Sequence, residues 1–373
     1  MMFLDRRLTE IAEKVAAGKR LNREEGMVIA TSSDLLGIGR LANTVRERRH
    51  GDVTYYNINR HLNPTNVCVA SCALCAYYVP YRRAAEGWTY TVEEAVRVAE
   101  RDVDESVGEL HIVGGLHPNL RVGYYEELFS ALKRRFPWIH IKALTMVELD
   151  FIASASRITV DELIDRLHRA GLDSCPGGGA EVFAPRVRDL ICDHKTDANR
   201  WLEIAAAVHR RGLKSNCTML YGHVETPEER VDHLLALRDL QDRTGGFQCF
   251  IPLAFHPTGT KLDDLPPTGG VLDLQTIALA RLLLDNIPHI KAYWIMLGEK
   301  IAQVAQHFGA DDLDGTVIDE RITYAAGGTA GKGMSSQRLE YLIREARRTP
   351  VLRDTLYRPV ERPATPTPAA ASS

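Results

Sequence analysis

Three closely spaced cysteines are the residues best suited to chemistry. Cys68, Cys72 and Cys75 stand in the segment CVASCALC, and a CxxxCxxC spacing lets each thiolate bind one iron of a cubane iron–sulfur cluster. The fourth iron then stays open to a substrate, whereas four cysteines would close the cluster for electron transfer. Two alternatives remain, a zinc site completed by a ligand such as His61 and three cysteines that are simply buried. The spacing favours the cluster, because zinc sites usually take four ligands in pairs.

Glycine-rich segments follow two of the predicted strands. Gly114 and Gly115 come directly after one strand, where adjacent glycines let the backbone approach a ligand closely, although a tight turn is the alternative. The segment CPGGGAE, which ends at Glu181, follows a later strand and is unsuited to helix. A carboxylate behind such a loop can fix a hydroxyl or ammonium group of a ligand, and a flexible connection is the alternative.

Further polar side chains stand at or beyond other predicted strand ends. Asn216 and Thr218 alternate on one strand and therefore share a side, predicted to be the interior. His256 suits an acid, a base or a carboxylate ligand near neutral pH, with a buried structural histidine as the alternative. Glu225 serves either a ligand or a helix N-terminus. The other candidates are His117, Lys142, Glu148, His223 and a group of aspartates that either bind a cation or order a loop, namely Asp311, Asp312 and Asp314.

These residues can form one site only if the fold brings the ends of several strands together, and the sequence predicts such a fold. Short β-type runs alternate with amphipathic helical runs, several of which begin at capping boxes such as Thr91 with Glu94 and Thr226 with Glu229. This alternation is typical of an α/β protein with a parallel sheet, and eight strands favour a closed (β/α)8 barrel of the TIM type, whose chemistry sits at the carboxyl ends of the strands. The predicted strands are 53–62, 109–113, 139–145, 171–174, 214–221, 247–253, 290–297 and 310–317.

The two ends of the chain lie outside this alternating pattern. Residues 1–50 are predicted to form an N-terminal helical extension that packs on the main domain, with 46–50 as a polar turn. The barrel is assigned to 51–320, and 321–362 is expected to be a C-terminal helical segment packed on it. The last residues, 363–373, have too few large apolar side chains to bury and are predicted to be disordered.

Composition narrows the class of protein. The chain has 373 residues, of which 45% are hydrophobic and 25% charged, as in an ordinary globular protein. Its net charge of −3 provides no field for nucleic acid or an anionic membrane, and no apolar run approaches the roughly 18 residues of a membrane span. No secretory signal is visible, and seven cysteines, an odd number, argue for a reducing cytoplasm. A small-molecule substrate is therefore expected.

A cysteine loop directly after the first barrel strand resembles that of the radical S-adenosylmethionine (SAM) superfamily. Residues 57–355 are similar, more narrowly, to the futalosine-pathway enzymes of menaquinone synthesis and to the radical enzymes that build the deazaflavin cofactor. The segments that carry this similarity are HLNPTNVC, GGLHPNL, CPGGGAEVF, LYGHVET, TGGFQCFIPLAFHP and FGADDLDGT. Among these families, LTMVELDF, LAFHP and CPGGGAE resemble the aminofutalosine synthases most, with the cyclic dehypoxanthinyl futalosine synthases as the near sister.

The resemblance implies cofactors and residue roles. It implies a [4Fe-4S] cluster on the three cysteines, SAM as co-substrate, and a one-electron reductant such as flavodoxin or ferredoxin. Gly114 and Gly115 match the motif that receives the SAM amino group. Valine at either position is therefore expected to weaken SAM binding without emptying the cluster, because it would block the close approach and resist positive φ. The other candidates for SAM binding are Glu148, Glu181, Asn216, His223 and Glu225.

The resemblance also implies a reaction. The 5′-deoxyadenosyl group of SAM would add to the enol-ether double bond of 3-[(1-carboxyvinyl)oxy]benzoate and, after aryl migration and loss of bicarbonate or CO₂, give 6-amino-6-deoxyfutalosine. A closed apolar cavity is required, with Tyr77, Tyr78, Phe250 and Phe255 available as walls. The two substrate carboxylates need cations or backbone donors, for which the candidates are Arg60, His61, Arg82 and Lys300. Further candidates for substrate binding or catalysis are Tyr77, His117, Thr218 and His256.

Three other interpretations stay open. The sister enzymes share the cluster but abstract a hydrogen atom. A non-catalytic iron–sulfur electron carrier would want four cysteine ligands and would not need long glycine-rich loops. A metal-dependent barrel hydrolase or aldolase would use His117, His223, His256 and the aspartates, and it would be colourless with zinc, whereas a cluster protein is brown and sensitive to oxygen.

Overall fold

The structure, a computed structural model, describes residues 3–328 and 333–361. None of the helices in these two ranges is both long enough and apolar enough to cross a lipid bilayer. The tail 363–373, for which the sequence predicts disorder, lies outside the described residues.

Helices and strands alternate along most of the chain. The helices are α1 Leu8–Ala16, α2 Arg23–Thr31, α3 Leu35–His50, α4 Val92–Glu100, α5 Val122–Arg135, α6 Met146–Ser156, α7 Val160–Ala170, α8 Pro185–Ile191, α9 Ala198–Arg210, α10 Pro227–Thr244, α11 Gly270–Leu283, α12 Trp294–Ala305, α13 Ile322–Ala325 and α14 Ser336–Glu345, with one 3-10 helix at Tyr81–Glu86. The strands are β1 Val53–Asn57, β2 Asn59–Leu62, β3 Val67–Cys68, β4 Val79–Pro80, β5 Glu109–Ile112, β6 His140–Ala143, β7 Ser174–Cys175, β8 Lys214–Tyr221, β9 Phe247–Ala254, β10 His289–Ile290, β11 Asp312–Gly315 and β12 Thr349–Leu352.

Seven parallel strands form the inner wall, in the order β2-β5-β6-β7-β8-β9-β10. The two edges of this sheet are joined by the chain around β11. On the β10 side the Ala292 N–H donates to the Asp312 carbonyl at 2.8 Å, and on the β2 side the His61 N–H donates to the Ile318 carbonyl at 2.9 Å. The α/β barrel expected from the sequence is therefore confirmed, with a short eighth strand at its closure.

The predicted strand 53–62 is in fact two strands with different partners. β1 lies between β11 and β12 in a separate three-stranded sheet, whereas β2 pairs with β5 in the barrel. The break falls at Ile58, and the side chains on either side of it are held by different barrel carboxylates. Asn57 Nδ2 donates to Glu109, and Asn59 Nδ2 donates to Asp314. A single continuous strand cannot pair both with β11 and β12 and with β5, so the segment divides into two strands.

Two other predicted strands are shorter than expected. The second half of 290–297 is helical, because β10 ends at Ile290 and α12 begins at Trp294. A short apolar run does not distinguish a buried strand from a buried helix, and here the indole of Trp294 donates to the Gly315 carbonyl at 2.9 Å and anchors the helix start at the barrel closure. The predicted strand 171–174 is reduced to β7, because Gly171 caps α7 with a φ of 118°.

The helix starts follow the predicted caps. Thr91 with Glu94 and Thr226 with Glu229 form reciprocal capping boxes. The prediction that 46–50 is a polar turn is wrong, because these residues are the last turn of α3. Arg46 is fully buried there, and its guanidinium donates to the Gly51 and Val53 carbonyls. Cations favour the negative end of a helix, so a cluster of them fits a last turn as well as a loop.

The N-terminal helices pack on the outside of the barrel. α3 lies along α11, and α2 packs against both α10 and α11. The contact is close at Gly26, where an added Cβ would lie 3.1 Å from side-chain atoms of Val231 and Leu283. The helical extension expected at the start of the chain therefore covers two helices of the barrel layer, on the outside, away from the barrel interior.

Candidate active site

A cavity of about 350 Å³ opens at the carboxyl ends of the barrel strands. It has the position that β/α barrels use for chemistry. The residues singled out from the sequence that line it are His61, Cys68, Cys72, Cys75, Tyr77, Tyr78, Gly114, Gly115, Glu148, Glu181, Thr218, Phe255, His256 and Asp314.

A larger groove of about 1100 Å³ lies between the outer helices α6, α7, α9 and α10. Its charged side chains already pair with one another on the surface, as Arg200 does with Asp150 and Glu203. Neither cysteine nor histidine is found among the described residues that line it. The barrel cavity is therefore the candidate site.

The cysteine loop follows β3 and forms one wall of the cavity. All three thiols are free, and Cys68 Sγ accepts the Leu116 N–H at 3.2 Å. Burial raises the pKa of Cys68 and of Cys72. Thiolates at these positions therefore need a nearby or bound cation to stabilise their charge.

A separate group of possible metal ligands lies away from the cysteine loop. Among the described residues, the ligand atoms that converge within 4.8 Å belong to His50, His289 and Asp311. The three cysteine sulfur atoms do not all lie within that distance of one another.

Gly114 and Gly115 allow the backbone at the end of β5 to lie directly against the cysteine loop. A Cβ at Gly115 would lie 2.3 Å from the Val67 carbonyl oxygen, and one at Gly114 would lie 2.9 Å from the Thr65 carbonyl oxygen. Neither glycine has a positive φ. The expectation that a side chain would be disfavoured there by positive φ is therefore wrong, and the reason for glycine is the close contact of two backbones.

Glu148 links the end of β5 to the start of α6. Its carboxylate accepts the Gly114 N–H at 2.9 Å and the Thr145 N–H at 2.7 Å, the second as part of a capping box with Thr145. Burial raises the pKa of Glu148 to about 7, although both N–H donors act in the opposite direction. Glu148 therefore supports the glycine segment from behind while it also lines the cavity.

Glu181 has a partner that the sequence did not reveal. Lys195, from the loop between α8 and α9, places its Nζ 2.7 Å from Glu181 Oε1, and both side chains line the cavity. Burial opposes ionisation of Glu181, but the charge of Lys195 lowers the pKa of that carboxyl below its ordinary value. A buried ion pair therefore stands beside the cysteine loop.

Five predicted site residues do not belong to the cavity lining as the described residues form it: Arg60, His117, Asn216, His223 and Glu225. Glu225 accepts the N–H groups of Gly222 and His223 and pairs with Arg230 at 2.9 Å. His223 accepts the Val224 N–H at 2.7 Å. The geometry thus gives both residues a role in ordering the loop after β8, which for Glu225 is close to the alternative named above.

The other three residues outside the lining also have structural partners. Arg60 is 1% exposed and pairs with Asp102. His117 accepts the Asn119 N–H at 3.2 Å. Asn216 accepts a hydrogen bond from Gln248 at 3.3 Å.

Several other candidates from the sequence lie away from the cavity. Arg82 and Lys300 are exposed, and Phe250 is buried in the core. Of the aspartates, Asp311 and Asp312 lie outside the lining and Asp314 belongs to it. All three pair with buried cations, which neither alternative from the sequence had named. Asp311 bonds to Arg281 and His289, Asp312 to Arg353, and Asp314 to Lys291. Lys142 pairs with Glu109 at 2.6 Å inside the barrel.

Sequence reasoning missed four titratable residues of the described lining: His111, Lys195, Tyr293 and Glu320. His111 stands opposite His61 in the ladder between β5 and β2, so strand register was the signal that pointed to it. Lys195 stands in a polar loop segment, DHK, which gave no such signal.

Comparison with known proteins gives two family matches that together cover most of the chain. Residues 62–237 match the radical SAM superfamily, and residues 244–365 match the CofH/MqnC C-terminal region. Aminodeoxyfutalosine synthase of Thermus thermophilus is 45% identical over 95% of this chain and 96% of its own length. The enzyme of the same name from Streptomyces coelicolor is 44% identical over 98% and 97%. Cyclic dehypoxanthine futalosine synthase of Streptomyces coelicolor is 38% identical over 94% and 88%.

Solved structures share the fold at low sequence identity. The FeFe-hydrogenase maturase HydG from Carboxydothermus hydrogenoformans aligns over 94% of this chain and 80% of its own, with a TM-score of 0.74 and 16% identity. Methylornithine synthase (PylB) aligns over 91% and 97%, with a TM-score of 0.70 and 14% identity.

Proposed function

The chain belongs to the radical SAM superfamily, in the branch with the CofH/MqnC C-terminal region, and on that premise we propose which transfer it performs. It transfers the 5′-deoxyadenosyl group of SAM to 3-[(1-carboxyvinyl)oxy]benzoate. The products are 6-amino-6-deoxyfutalosine, methionine and bicarbonate or CO₂, and the reaction serves menaquinone synthesis.

One observation carries this choice among related reactions. Two aminodeoxyfutalosine synthases are 44–45% identical to the chain over nearly the whole length of both partners, whereas the cyclic dehypoxanthine futalosine synthase is 38% identical. The segments LTMVELDF and LAFHP, which border the cavity through Glu148 and His256, favour the same reaction.

In this proposal the three cysteines of the loop hold the cofactor. When bound, a [4Fe-4S] cluster supplies the single electron that breaks the sulfonium carbon–sulfur bond of SAM. A small electron-transfer protein such as flavodoxin or ferredoxin delivers that electron. Gly114 and Gly115, at the end of β5, and the carboxylates of Glu148 and Glu181 form the neighbouring wall, which we assign to SAM.

The rest of the cavity orients the alkene and excludes water. Tyr77, Tyr78 and Phe255 are aromatic walls around the space between the cysteine loop and the barrel interior. His256 Nε2 donates to the Met296 carbonyl at 3.0 Å when the ring is neutral, which leaves Nδ1 as a proton acceptor. We assign His256 to the substrate carboxyl that is later lost, where it acts as a base or acid.

The test follows the adenosyl carbons. The reconstituted enzyme is incubated under anaerobic conditions with a reductant, the enol ether and SAM that is labelled in its adenosine part. The label is expected in a product that contains both adenine and benzoate, with one methionine formed per product. Accumulation of labelled free 5′-deoxyadenosine in step with substrate loss would contradict the proposal and favour hydrogen abstraction, as in the sister enzymes.

A matched pair of variants tests the cofactor assignment in the same assay. Cys72→Ala is expected to lose the cluster and all SAM cleavage, because it removes one of three iron ligands. Cys192→Ala is the control, since Cys192 is equally buried and lies beside the same loop, where the Ala73 N–H donates to the Ile191 carbonyl at 2.8 Å. It should keep its iron content and its turnover. Full iron content in Cys72→Ala would overturn the assignment.

A further inference from the structure

Two histidine rings stack in the part of the cavity that lies inside the barrel. His61 on β2 and His111 on β5 are directly paired in the strand register. Their ring centroids are 4.5 Å apart with an interplanar angle of 12°, and both rings line the cavity. His111 precedes the glycine segment by three positions and His61 precedes Cys68 by seven, so the pair lies below the cysteine loop, toward the barrel interior.

The ring nitrogens of this pair are available to a ligand. Neither side chain forms a hydrogen bond or ion pair with another described residue. The ring nitrogens are also absent from the fully buried polar atoms without a partner, so they are accessible from the cavity. The other basic groups in the described lining are engaged. Lys195 pairs with Glu181, and His256 bonds to the Met296 carbonyl. Among the basic groups of the described lining, the histidine pair is therefore the one without a protein partner.

The charged groups behind the rings balance one another. Lys142 on β6 pairs with Glu109 on β5 at 2.6 Å, and Lys291, just after β10, pairs with Asp314 on β11 at 3.0 Å. All four groups act on His61, and Lys142, Glu109 and Lys291 also act on His111. As a set, the two ion pairs sum to zero.

Without a nearby net charge, burial decides the ionisation of the rings. Burial lowers the pKa of His61 to about 4 and lowers that of His111 as well. Within the protein alone both rings are accordingly neutral, and each carries one N–H donor. A carboxylate that binds to them favours a proton on the rings, because its charge opposes the effect of burial.

We propose that the stacked pair His61–His111 is the subsite for one substrate carboxylate, that of the benzoate ring. This inference rests on the proposed function. The reacting double bond must lie toward SAM, beside the cysteine loop, and it carries its own carboxylate. The benzoate carboxylate, on the far side of the aromatic ring, then lies toward the barrel interior, where the two imidazoles each donate to one of its oxygens.

The test measures binding without turnover. Calorimetry is performed on the holoenzyme with SAM and no reductant, with two probes, the enol-ether diacid and its analogue with the benzoate carboxylate as a methyl ester. His111→Phe keeps a stacked ring but removes the donor, and it is expected to weaken diacid binding roughly tenfold to a hundredfold, as for a lost hydrogen bond to a charged group. The ester is expected to bind the variant and the wild type equally.

Two further variants and one further readout complete the design. His111→Asn restores an N–H donor and should recover part of the affinity, which also guards against a Phe variant that fails to fold. His194→Asn, on the exposed surface, is the matched control and should change nothing. Repeating the diacid titration in buffers of different ionisation enthalpy should show proton uptake in the wild type and less uptake in His111→Phe.

The outcomes separate the two proposals. Unchanged diacid affinity in His111→Phe, or equal weakening for diacid and ester, overturns the subsite while wild-type conversion of the enol ether still supports the proposed function. A wild-type enzyme that cleaves SAM but does not convert the enol ether overturns the proposed function, and the subsite with it.

Discussion

Gly115 is the residue at which the smallest change should have the largest effect on the site. An alanine Cβ there would lie 2.3 Å from the Val67 carbonyl oxygen and 3.1 Å from the Cys68 Cβ, so the cysteine loop must move. We now expect Gly115→Ala to reduce the iron content of the reconstituted protein as well as SAM affinity. This revises the expectation from sequence that the cluster would be spared. Iron analysis and the absorption spectrum of the anaerobic protein measure it.

Gly123 provides the matched control for this change. It lies in α5, and a Cβ there would meet no atom within 4 Å. Because Gly123 is the second residue of the helix, Gly123→Ala should retain its iron and change the free energy of unfolding little. A Gly115→Ala protein with the iron content of Gly123→Ala would show that the loop tolerates the contact.

At the residue scale, the sequence predicts what is local and misses what the fold brings together. The cysteine spacing and the glycine segments are contiguous motifs, and the structure places them in one cavity. Lys195 meets Glu181, 14 positions earlier, only because the chain returns to the cavity after α8, and nothing in the local sequence marks it. Arg60 was a candidate by type, yet its partner Asp102 is 42 positions away and holds it outside the lining.

Among the elements, the junction of β5 with α6 depends on pH through Glu148. Its pKa is about 7 in the folded chain against an ordinary value of 4.5. The folded state therefore holds the proton more tightly, so the stability from this group is fully present below about pH 4.5 and is lost as the pH rises through about 7. A shift of this size corresponds to about 3 kcal/mol.

Urea unfolding of the wild type and of Glu148→Gln checks this pH dependence in the absence of SAM. The variant lacks the titrating group, so the difference in free energy of unfolding should move in favour of the variant by about 2–3 kcal/mol between pH 5 and pH 8. The variant also loses an acceptor for one backbone N–H. This lowers its free energy of unfolding equally at both pH values and does not change the pH dependence. A pH-independent difference would mean that Glu148 stays ionised.

Element types were predictable where local signals agree and not where tertiary contacts decide. Thr226, Pro227 and Glu229 begin α10 as a capping box predicts. The division of 53–62 into β1 and β2 depends on which strands pair with each half. No sequence feature near Ile58 indicates that the first half pairs with β11 and β12. The end of β10 is set by the anchoring of Trp294 on Gly315, a contact 21 positions away.

Considered as a whole, the molecule is closed by a buried ion pair between its last strand and its eighth barrel strand. Arg353, just after β12, places Nε 2.6 Å from Asp312 Oδ2, and the two side chains are 1% and 0% exposed. Removal of one partner leaves the other charge buried and unpaired. We therefore expect Arg353→Met to lower the free energy of unfolding by about 3–5 kcal/mol, measured by urea denaturation.

Arg358 is the control for this closure. It pairs with Asp354 at 2.6 Å only a few residues further on, but its side chain is 74% exposed. Water and salt screen such a pair, so Arg358→Ala should change the unfolding free energy little. Equal losses in the two variants would mean that the closure is no more important than the surface pair.

The strand β1 has a consequence for the order of events during synthesis. β1 emerges early from the ribosome, but its two neighbours, β11 and β12, are made near the end, and Thr349 bonds to Asp52 across 297 positions. At a translation rate of about 5–20 residues per second, the residues of β1 wait for these partners for tens of seconds. The cysteine loop follows β1 and β2 by a few residues, so its thiols also emerge long before the three-stranded sheet around β1 can form. On the proposed function, we therefore expect iron–sulfur assembly on this loop to be completed after synthesis, with the thiols kept reduced in the meantime.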